Sequence, residues 1–573
     1  MGNPIDRRAF LTGKKQELTD TIPQVNNGTK YVNKSLPSQL NRTNSGINQY
    51  TGVFGDAQKM HLLRRLTFGV KKAHFDQIKN MTMSQAVDFL IDNPVQPTTT
   101  PLNSYQQDYA DTLGCPSGAS WVNHAAPFND DFALNYFRTY WSFLPWWYNE
   151  MINQRPHILE KLNLFWVNHF STQMADFNLS KAVFQHHKLI RQQSLGNFKT
   201  MVKQVTIDPH MLFFLNGAWN NKWAPDENYS RELQELYTVG KGPGSGYTEN
   251  DVKEAARILT GWRVNSNSNG SYNSYFDANW HDTGNKQFSS FYANKLITGK
   301  TGLAGAGETD ELLTMIFETQ EVAKYVVRRL YRWFVYYVID NAVETNVIAP
   351  LATIFRNSNY DIPTLLKALF KSEHFFDPLN AGCMIKSPVD FYISFIREFN
   401  LALPTTPLNL QYYVWRHFTE RTAESDQSPG DPPNVAGWRA YYQDPVYYQS
   451  WITSDTIQRR SRAINEYIMS GTYYYTFKIQ VNVIDYAKQF VNPGDPNLLV
   501  QQLISYLLPK DLSDNQKTFM KSILLSNQTS DSYWTNAWNA YIGSPNTANT
   551  TIVQTRLQTL LDYITGLEEY QLC

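Results

Sequence analysis

The sequence predicts a mainly α-helical protein: a large multi-helix core, a small β-hairpin insertion around residues 263–290 and a helical C-terminal part. Apolar residues recur at helical spacing in many segments, for example 61–69 and 551–569. Of the 573 residues, 42% are apolar and 14% aromatic, which is ample material for a large core. The alternation of aromatic and polar residues that is typical of strands is confined to an Asn/Ser/Gly-rich stretch after Trp262.

Three regions follow from changes in composition along the chain. Residues 1–50 are rich in Asn, Thr, Ser and Gln and are predicted to form an extended N-terminal arm. Residues 51–420 form the predicted helical core region. Residues 421–573 combine a proline-rich connection with a C-terminal helical region. The sequence leaves open whether this last region is continuous with the core.

Charge and segment lengths exclude several classes of protein. Lys+Arg and Asp+Glu are balanced at 51 each, which argues against a general nucleic-acid binder. No apolar run approaches the roughly 18 residues of a membrane-spanning helix, so we expect no transmembrane anchor. Residues 7–11 (RRAFL) resemble a twin-arginine export signal, but a polar segment follows them. Without a complete signal peptide we expect a cytoplasmic protein, with export by this degenerate signal as the alternative.

The densest group of charged residues lies between Glu227 and Trp262, where the sequence predicts two helices joined by a glycine-rich turn. At 100° per residue, Arg231, Glu232 and Glu235 fall on one face of the first helix, and apolar residues fall on the opposite face. Either glutamate is a candidate general base, and the arginine is a candidate group for stabilising anionic charge.

The second helix of this pair is predicted to begin at a capping-box-like pair, Thr248 and Asp251, and carries Arg257 on its polar face. A short turn makes the helices antiparallel neighbours, so both polar faces can meet at one cleft. Arg257 is therefore a second candidate for stabilising anionic charge. The same pattern is typical of a solvated face with surface ion pairs, or of a buried Arg–Glu network that only fixes geometry. The sequence leaves these three interpretations open.

His281 and Asp282 follow the second helix closely and add a candidate base and candidate metal ligands. His281 could act as a base tuned by its neighbour, or both residues could bind a divalent metal. Together with Glu232 and Glu235 they would make four ligands. No known zinc-binding spacing is present, so a divalent metal is a candidate cofactor and no cofactor is certain.

His169 is a further candidate, because it lies in the apolar stripe of a predicted helix with Phe165 and Trp166. A hydrogen-bonded core histidine is the simpler interpretation. A ligand or a catalytic base is the alternative.

Several segments together resemble the bacterial family catalogued as domain of unknown function 1800, over about residues 55–465. The matching stretches are 61–69 (HLLRRLTFG), 165–170 (FWVNHF), 194–198 (SLGNF), 227–236 (ENYSRELQEL), 247–252 (YTENDV), 259–262 (LTGW), 281–282 (HD), 386–388 (KSP) and 432–438 (PPNVAGW). Members are often exported, and they are commonly encoded beside a second uncharacterised family, number 1501, that resembles sulfatase-like metalloenzymes. The resemblance implies a bacterial origin and a candidate partner, but no established activity.

Two hypotheses for function follow. The first is a non-catalytic binding or assembly protein that acts with the neighbour-encoded partner or with an extracellular polymer. Aromatic-rich loops and the absence of a catalytic motif favour it. The second is a hydrolase-type enzyme, metal-assisted or not, with its site on residues 227–262 and 281–282.

Overall fold

The computed structural model describes residues 43–125, 131–177, 179–438 and 451–573. In this part of the chain the prediction of a mainly α-helical protein is confirmed. Most of the predicted N-terminal arm and the twin-arginine-like residues 7–11 lie outside the described residues. Thr43–Cys573 form one compact unit.

Helices build the first half of the described chain. They are Asp56–Leu66, Lys72–Ile78, Met83–Ile91, Phe132–Tyr136, Leu144–Asn153, Leu159–His169, Ser180–Gln193, Phe198–Thr206, Pro209–Phe214, Asn228–Glu232 and Glu249–Ile258. A π-helix at Phe137–Phe143 joins Phe132–Tyr136 to Leu144–Asn153, and another at Leu233–Thr238 continues Asn228–Glu232. Side-chain caps fix several helix starts. Thr82, for example, accepts from the backbone N–H of Gln85, whose side chain accepts from Thr82 N–H in return.

Helices also dominate the second half, after the strand-bearing insertion. They are Glu308–Glu318, Gln320–Phe334, Asn341–Val343, Ala349–Asn357, Ile362–Phe370, Pro388–Glu398, Leu408–Ala423, Ser454–Met469, Val483–Ala487, Pro496–Leu507, Asp514–Leu524, Ser532–Gly543 and Thr547–Thr565, with a π-helix at Glu344–Ile348. The Pro388–Glu398 helix begins with a side-chain cap: the hydroxyl of Ser387 accepts from the backbone N–H of Asp390, and Pro388 takes the first helical position.

The strands of the described residues form three small antiparallel pairs. β1 (Trp262–Ser266) pairs with β2 (Tyr272–Phe276), and β3 (Lys286–Gln287) pairs with β4 (Leu296–Ile297). The β1–β2 hairpin agrees with the insertion predicted around residues 263–290, whereas the β3–β4 pair extends past it to Ile297. β5 (Thr472–Tyr474) and β6 (Phe477–Ile479) form a further hairpin, outside the stretch after Trp262 to which strands were predicted to be confined.

Polar contacts join the C-terminal helices to the core region. The buried guanidinium of Arg64 donates to the carbonyls of Ser505 and Tyr506 at 2.7 and 3.1 Å. The backbone N–H of Lys386 donates to the carbonyl of Gln571 at 2.8 Å. A continuous apolar interior runs through both regions. Among the described helices, none has the length and apolar character that crossing a membrane requires.

Candidate functional site

The predicted helical hairpin is present, and its first helix is irregular. Asn228–Glu232 is α-helical, but Leu233–Thr238 continues it as a π-helix, which adds a residue to the turn. This segment ends where the N–H groups of Val239 and Gly240 both donate to the carbonyl of Gln234 at 2.9 Å. Gly240 has φ of 83°, which favours glycine, so the chain leaves the helix there.

The predicted cap of the second helix is present as well. The hydroxyl of Thr248 accepts from the N–H of Asp251 at 3.3 Å, and Asp251 accepts from the N–H of Thr248 at 2.7 Å. The buried Asp251 carboxylate also accepts from both the N–H and the hydroxyl of Ser289 at 2.7 Å. The cap therefore joins the hairpin to the insertion that follows it.

Arg231 joins the two helices at their solvent-exposed edge. Its guanidinium makes a two-bond pair with Glu249, at 2.9 and 2.7 Å, and a third bond with Glu227 at 2.9 Å. The Glu249 side chain is 70% exposed and that of Arg231 is 32% exposed. These contacts match the surface ion pairs that the sequence left open as one interpretation.

Glu232 and Glu235 lie one helical turn apart and differ in their partners. Glu235 forms an ion pair with Lys241 in the glycine-rich turn. Among the described residues, the carboxylate of Glu232 has no hydrogen-bond or ion-pair partner. Burial and the neighbouring Glu235 charge raise the pKa of Glu232 to about 7, against smaller opposing effects of Lys241 and Arg231. Glu232 can therefore change protonation state near neutral pH.

Arg257 and Asp282 form a second, separate ion pair. Nε and Nη2 of Arg257 donate to the two carboxylate oxygens of Asp282 at 2.8 and 3.1 Å. Glu254 accepts a further bond from Arg257 at 2.7 Å. Despite the cost of partial burial, the bonds from Arg257 and from the N–H of Gly284 hold the pKa of Asp282 below its ordinary value. Through its ion pair with Arg257, the Asp282 carboxylate therefore links the insertion to the second helix of the hairpin.

His281 points away from Asp282 into a buried polar group. Its Nδ1 lies 2.9 Å from the carbonyl of Thr260, and its Nε2 lies 3.2 Å from Glu308. Glu308 also accepts from Lys286 at 2.6 Å, and both side chains of that pair are fully buried. This arrangement suits a structural network better than an exposed catalytic base.

By their contacts, the sequence-predicted residues form separate groups: Arg231 and Glu235 pair with Glu227, Glu249 and Lys241, whereas Arg257 pairs with Glu254 and Asp282, and His281 lies against Glu308. Within the described ranges, no group of three or more His, Cys, Asp or Glu side chains is placed to hold a metal ion.

His169 is a buried core histidine with a backbone partner. Its Nε2 lies 3.0 Å from the carbonyl of Tyr237, within the π-helical segment. Burial and the charge of Arg329 lower its pKa well below the ordinary value, so the ring is neutral. This contact agrees with the interpretation of His169 as a hydrogen-bonded core histidine. It also holds the π-helical segment Leu233–Thr238 against the core.

An exposed aromatic surface lies beside the hairpin. We define this surface by Trp219, Trp223 and Trp280, whose side chains are 54%, 68% and 39% exposed. The rings of Trp223 and Trp280 meet edge to face with centroids 5.3 Å apart. The backbone N–H of Lys222 donates to the carbonyl of Trp280 at 2.9 Å, which joins the two segments directly.

Arg263 makes this surface continuous. Its guanidinium lies 4.1 Å from the ring centre of Trp280 and donates to the carbonyl of Ala218, next to Trp219. Arg263 is on β1, and its partner across the sheet, Tyr275, is also exposed. The aromatic surface therefore rests on the first hairpin of the insertion.

The sequence analysis did not identify these tryptophans, because helical periodicity carries no information about which loop side chains are exposed. Trp280 is next to the candidate site residue His281. The sequence alone does not show which of these two side chains is exposed to solvent. Three consecutive residues point three ways: Trp280 outward, His281 inward, and Asp282 across to Arg257. The one available signal was the aromatic content of the Asn/Ser/Gly-rich stretch.

Comparison with known proteins identifies a family. The model of the family described as protein of unknown function (DUF1800) matches residues 61–572. No curated protein and no solved structure matches the chain. The match extends beyond about residue 465, where the resemblance noted in the sequence ends, and takes in most of the C-terminal helical region. Because it covers nearly the whole described chain, this protein belongs to the DUF1800 family.

Proposed function

We propose that this protein is a non-catalytic binding protein that docks a partner protein through the aromatic surface. The observation that carries the proposal is the exposure of three neighbouring tryptophans, Trp219, Trp223 and Trp280. Contiguous exposed apolar groups on a soluble protein commonly mark an interaction site. Tryptophan and arginine are also enriched among the residues that dominate binding free energy at protein interfaces, and Arg263 supplies the arginine.

The ring geometry favours a protein over an extended polysaccharide as the occupant. A sugar chain stacks best on aromatic rings that face the same way, whereas Trp223 and Trp280 are inclined at 83° to each other. An edge-to-face pair of rings instead presents a recess beside a ridge, a shape that complements the uneven surface of a folded protein. The neighbour-encoded protein of the 1501 family, implied by the resemblance, is the candidate partner.

The buried network around the hairpin supports binding by keeping the surface in one conformation. Asp282 and His281 fix the backbone directly after Trp280 through Arg257 and Glu308. A surface that is already ordered loses less conformational entropy when a partner binds. In this proposal Arg257, His281 and Asp282 position the aromatic surface and have no chemical role.

The test is co-purification of this protein with the neighbour-encoded product, followed by titration of the purified pair. We expect Trp223→Ala and Trp280→Ala each to weaken binding about thirtyfold, the effect of a side chain contributing about 2 kcal/mol. The matched control is Tyr473→Ala, which removes an equally exposed aromatic side chain from the β5–β6 hairpin.

Two outcomes would overturn the proposal. One is binding that Trp223→Ala and Tyr473→Ala weaken equally. The other is no binding of the partner, together with binding of purified bacterial polysaccharide that depends on the tryptophans, which would assign the surface to a polymer.

One observation favours a hydrolase-type enzyme as a second candidate function. The carboxyl of Glu232 is unpaired, has a pKa raised to about 7 and lies beside Glu235 and a π-helical turn. Such a group is suited to general acid–base catalysis near neutral pH, and π-helical turns are frequent at functional sites. A metal-assisted version would require Glu232 and Glu235 to share a divalent ion with His281 and Asp282.

A panel of chromogenic ester, phosphate and glycoside substrates tests this second candidate. Glu232→Gln is expected to abolish any turnover. Glu227→Gln, which changes a carboxylate in the Arg231 ion pairs, is expected to preserve it. Elemental analysis of the purified protein tests the metal-assisted version. Turnover that survives in Glu232→Gln would remove Glu232 from the mechanism.

A further inference from the structure

Two cationic side chains lie against the rings of the aromatic surface. Nζ of Lys222 is 4.8 Å from the ring centre of Trp223, and the guanidinium of Arg263 is 4.1 Å from the ring centre of Trp280. The two rings meet edge to face with their centres 5.3 Å apart. The four side chains therefore form one continuous array, in the order lysine, tryptophan, tryptophan, arginine.

Neither cation forms an ion pair in the described part of the chain. Lys222 is exposed, and the half-buried Arg263 donates to a neutral acceptor, the carbonyl of Ala218. Two acids flank the array in the sequence, Asp226 and Asp277. Each of them accepts from a backbone N–H, at 2.8 and 3.0 Å respectively, and neither pairs with a cation of the array. Both cations are therefore available to pair with groups of another molecule.

The positive charge of Arg263 is incompletely compensated within this chain. Burial lowers the pKa of its guanidinium, and the opposing attraction of Asp277 does not offset that effect. A partner that docks on the aromatic surface removes more water from the same side chain. Because an unpaired charge that loses its water is costly, a tightly bound partner has to supply negative charge at this point.

We infer that the partner meets the aromatic surface with an acidic patch, whose carboxylates lie opposite Lys222 and Arg263. The inference rests on the proposed function and names the chemistry of the surface that docks. Contact with the tryptophans supplies most of the binding free energy, and the opposite charges orient the partner and speed its approach. A basic or uncharged surface of the same shape leaves both cations unpaired and is rejected.

Quenching of tryptophan fluorescence tests the charge of this surface without a partner. Iodide and caesium reach only exposed indole rings, and each ion concentrates near charge of the opposite sign. We expect the ratio of iodide to caesium quenching in the full chain to exceed that of free N-acetyltryptophanamide about twofold, at equal ionic strength. Lys222→Glu should abolish the excess. Lys478→Glu is the matched control, because Lys478 is an exposed lysine without an ion pair on β6.

The association rate with the neighbour-encoded product tests the same charges in the complex. Attraction between opposite charges accelerates association, and salt screens it. At low salt, we expect Lys222→Glu to lower the association rate constant about tenfold and to change the dissociation rate constant little. High salt should remove most of the difference from the wild type. Lys478→Glu should associate as the wild type does.

The outcomes separate this inference from the proposed function. An iodide preference that Lys222→Glu abolishes and Lys478→Glu keeps supports the inference. No iodide preference relative to N-acetyltryptophanamide overturns it, whether or not the partner binds. Association that Trp223→Ala weakens but that neither salt nor Lys222→Glu changes also overturns it, and leaves the proposed function standing. Association that no tryptophan variant weakens overturns the proposed function itself.

Discussion

The two ends of the helical hairpin carry similar charged residues in different surroundings. At one end Arg231 pairs with exposed glutamates, and Glu232 stays unpaired. At the other end His281 and Glu308 lie inside the protein, and Glu308 is paired with a fully buried lysine. Both ends combine acids with basic residues, but their burial differs.

This difference decides what each group contributes. An exposed ion pair replaces interactions with water by an interaction of similar strength, so its loss changes the free energy of unfolding little. A buried pair leaves an uncompensated charge when one partner is removed, so its loss is costly. The pattern of charged residues in the sequence therefore locates a polar region. The burial of each side chain then distinguishes residues that stabilise the fold from residues that are available for catalysis or binding.

The largest expected effect is at the buried end. Glu308→Ala removes the partner of Lys286 and of His281, and we expect it to lower the free energy of unfolding by about 3–5 kcal/mol. Urea unfolding followed by circular dichroism measures it. The matched control is Glu311→Ala on the same helix, whose ion pair with Lys300 is exposed, and it should cost less than about 1 kcal/mol. Equal losses of unfolding free energy in Glu308→Ala and Glu311→Ala would show that the buried ion pair contributes no more to stability than the exposed one.

A smaller effect is expected at the half-buried bridge. Asp282→Asn keeps one acceptor but loses the charge opposite Arg257, and it should cost about 1–2 kcal/mol near neutral pH. The pKa of Asp282 is lower in the folded state than in the unfolded state. Its contribution is therefore complete above the unfolded-state value and is lost as the pH falls through the folded-state value. The two proteins should converge in stability once the pH falls below the folded-state value; a gap that persists in acid would point to a loss unrelated to charge.

Glu232 is expected to show the opposite pH dependence. Its folded-state pKa of about 7 exceeds the unfolded-state value, so its contribution is complete below that lower value and is lost as the pH rises through 7. Glu232→Gln should therefore be more stable than the wild type at pH 8, by about 1 kcal/mol after allowance for solvent screening, and equal to it at about pH 4. Thermal unfolding across this range measures the crossover. A stability difference independent of pH would show that Glu232 does not titrate there.

The smallest effect is expected at the exposed end. Glu249→Gln breaks the two-bond pair with Arg231 at a highly exposed carboxylate, and no measurable change in unfolding free energy is expected. Urea unfolding at low and high salt checks this. A clear destabilisation that disappears at high salt would mean that the exposed pair contributes more than its surroundings suggest.

Helical periodicity predicted much of the fold and only part of the candidate site. It located the hairpin helices and the cap at Thr248, because both depend on residues three or four positions apart. It could not predict the π-helical turn after Glu232, which depends on tertiary contacts such as that from His169. The inward turn of His281 is likewise set by Glu308, a residue 27 positions later.

The contacts made by Arg64 have a consequence for synthesis of the chain on the ribosome. Its carbonyl partners, at Ser505 and Tyr506, emerge more than 400 residues after it does. Until then the nascent protein holds an arginine that has neither its native acceptors nor its native burial. Completion of the core must wait for the late helices, so a ribosome-bound chain ending near residue 420 should be recognised by chaperones.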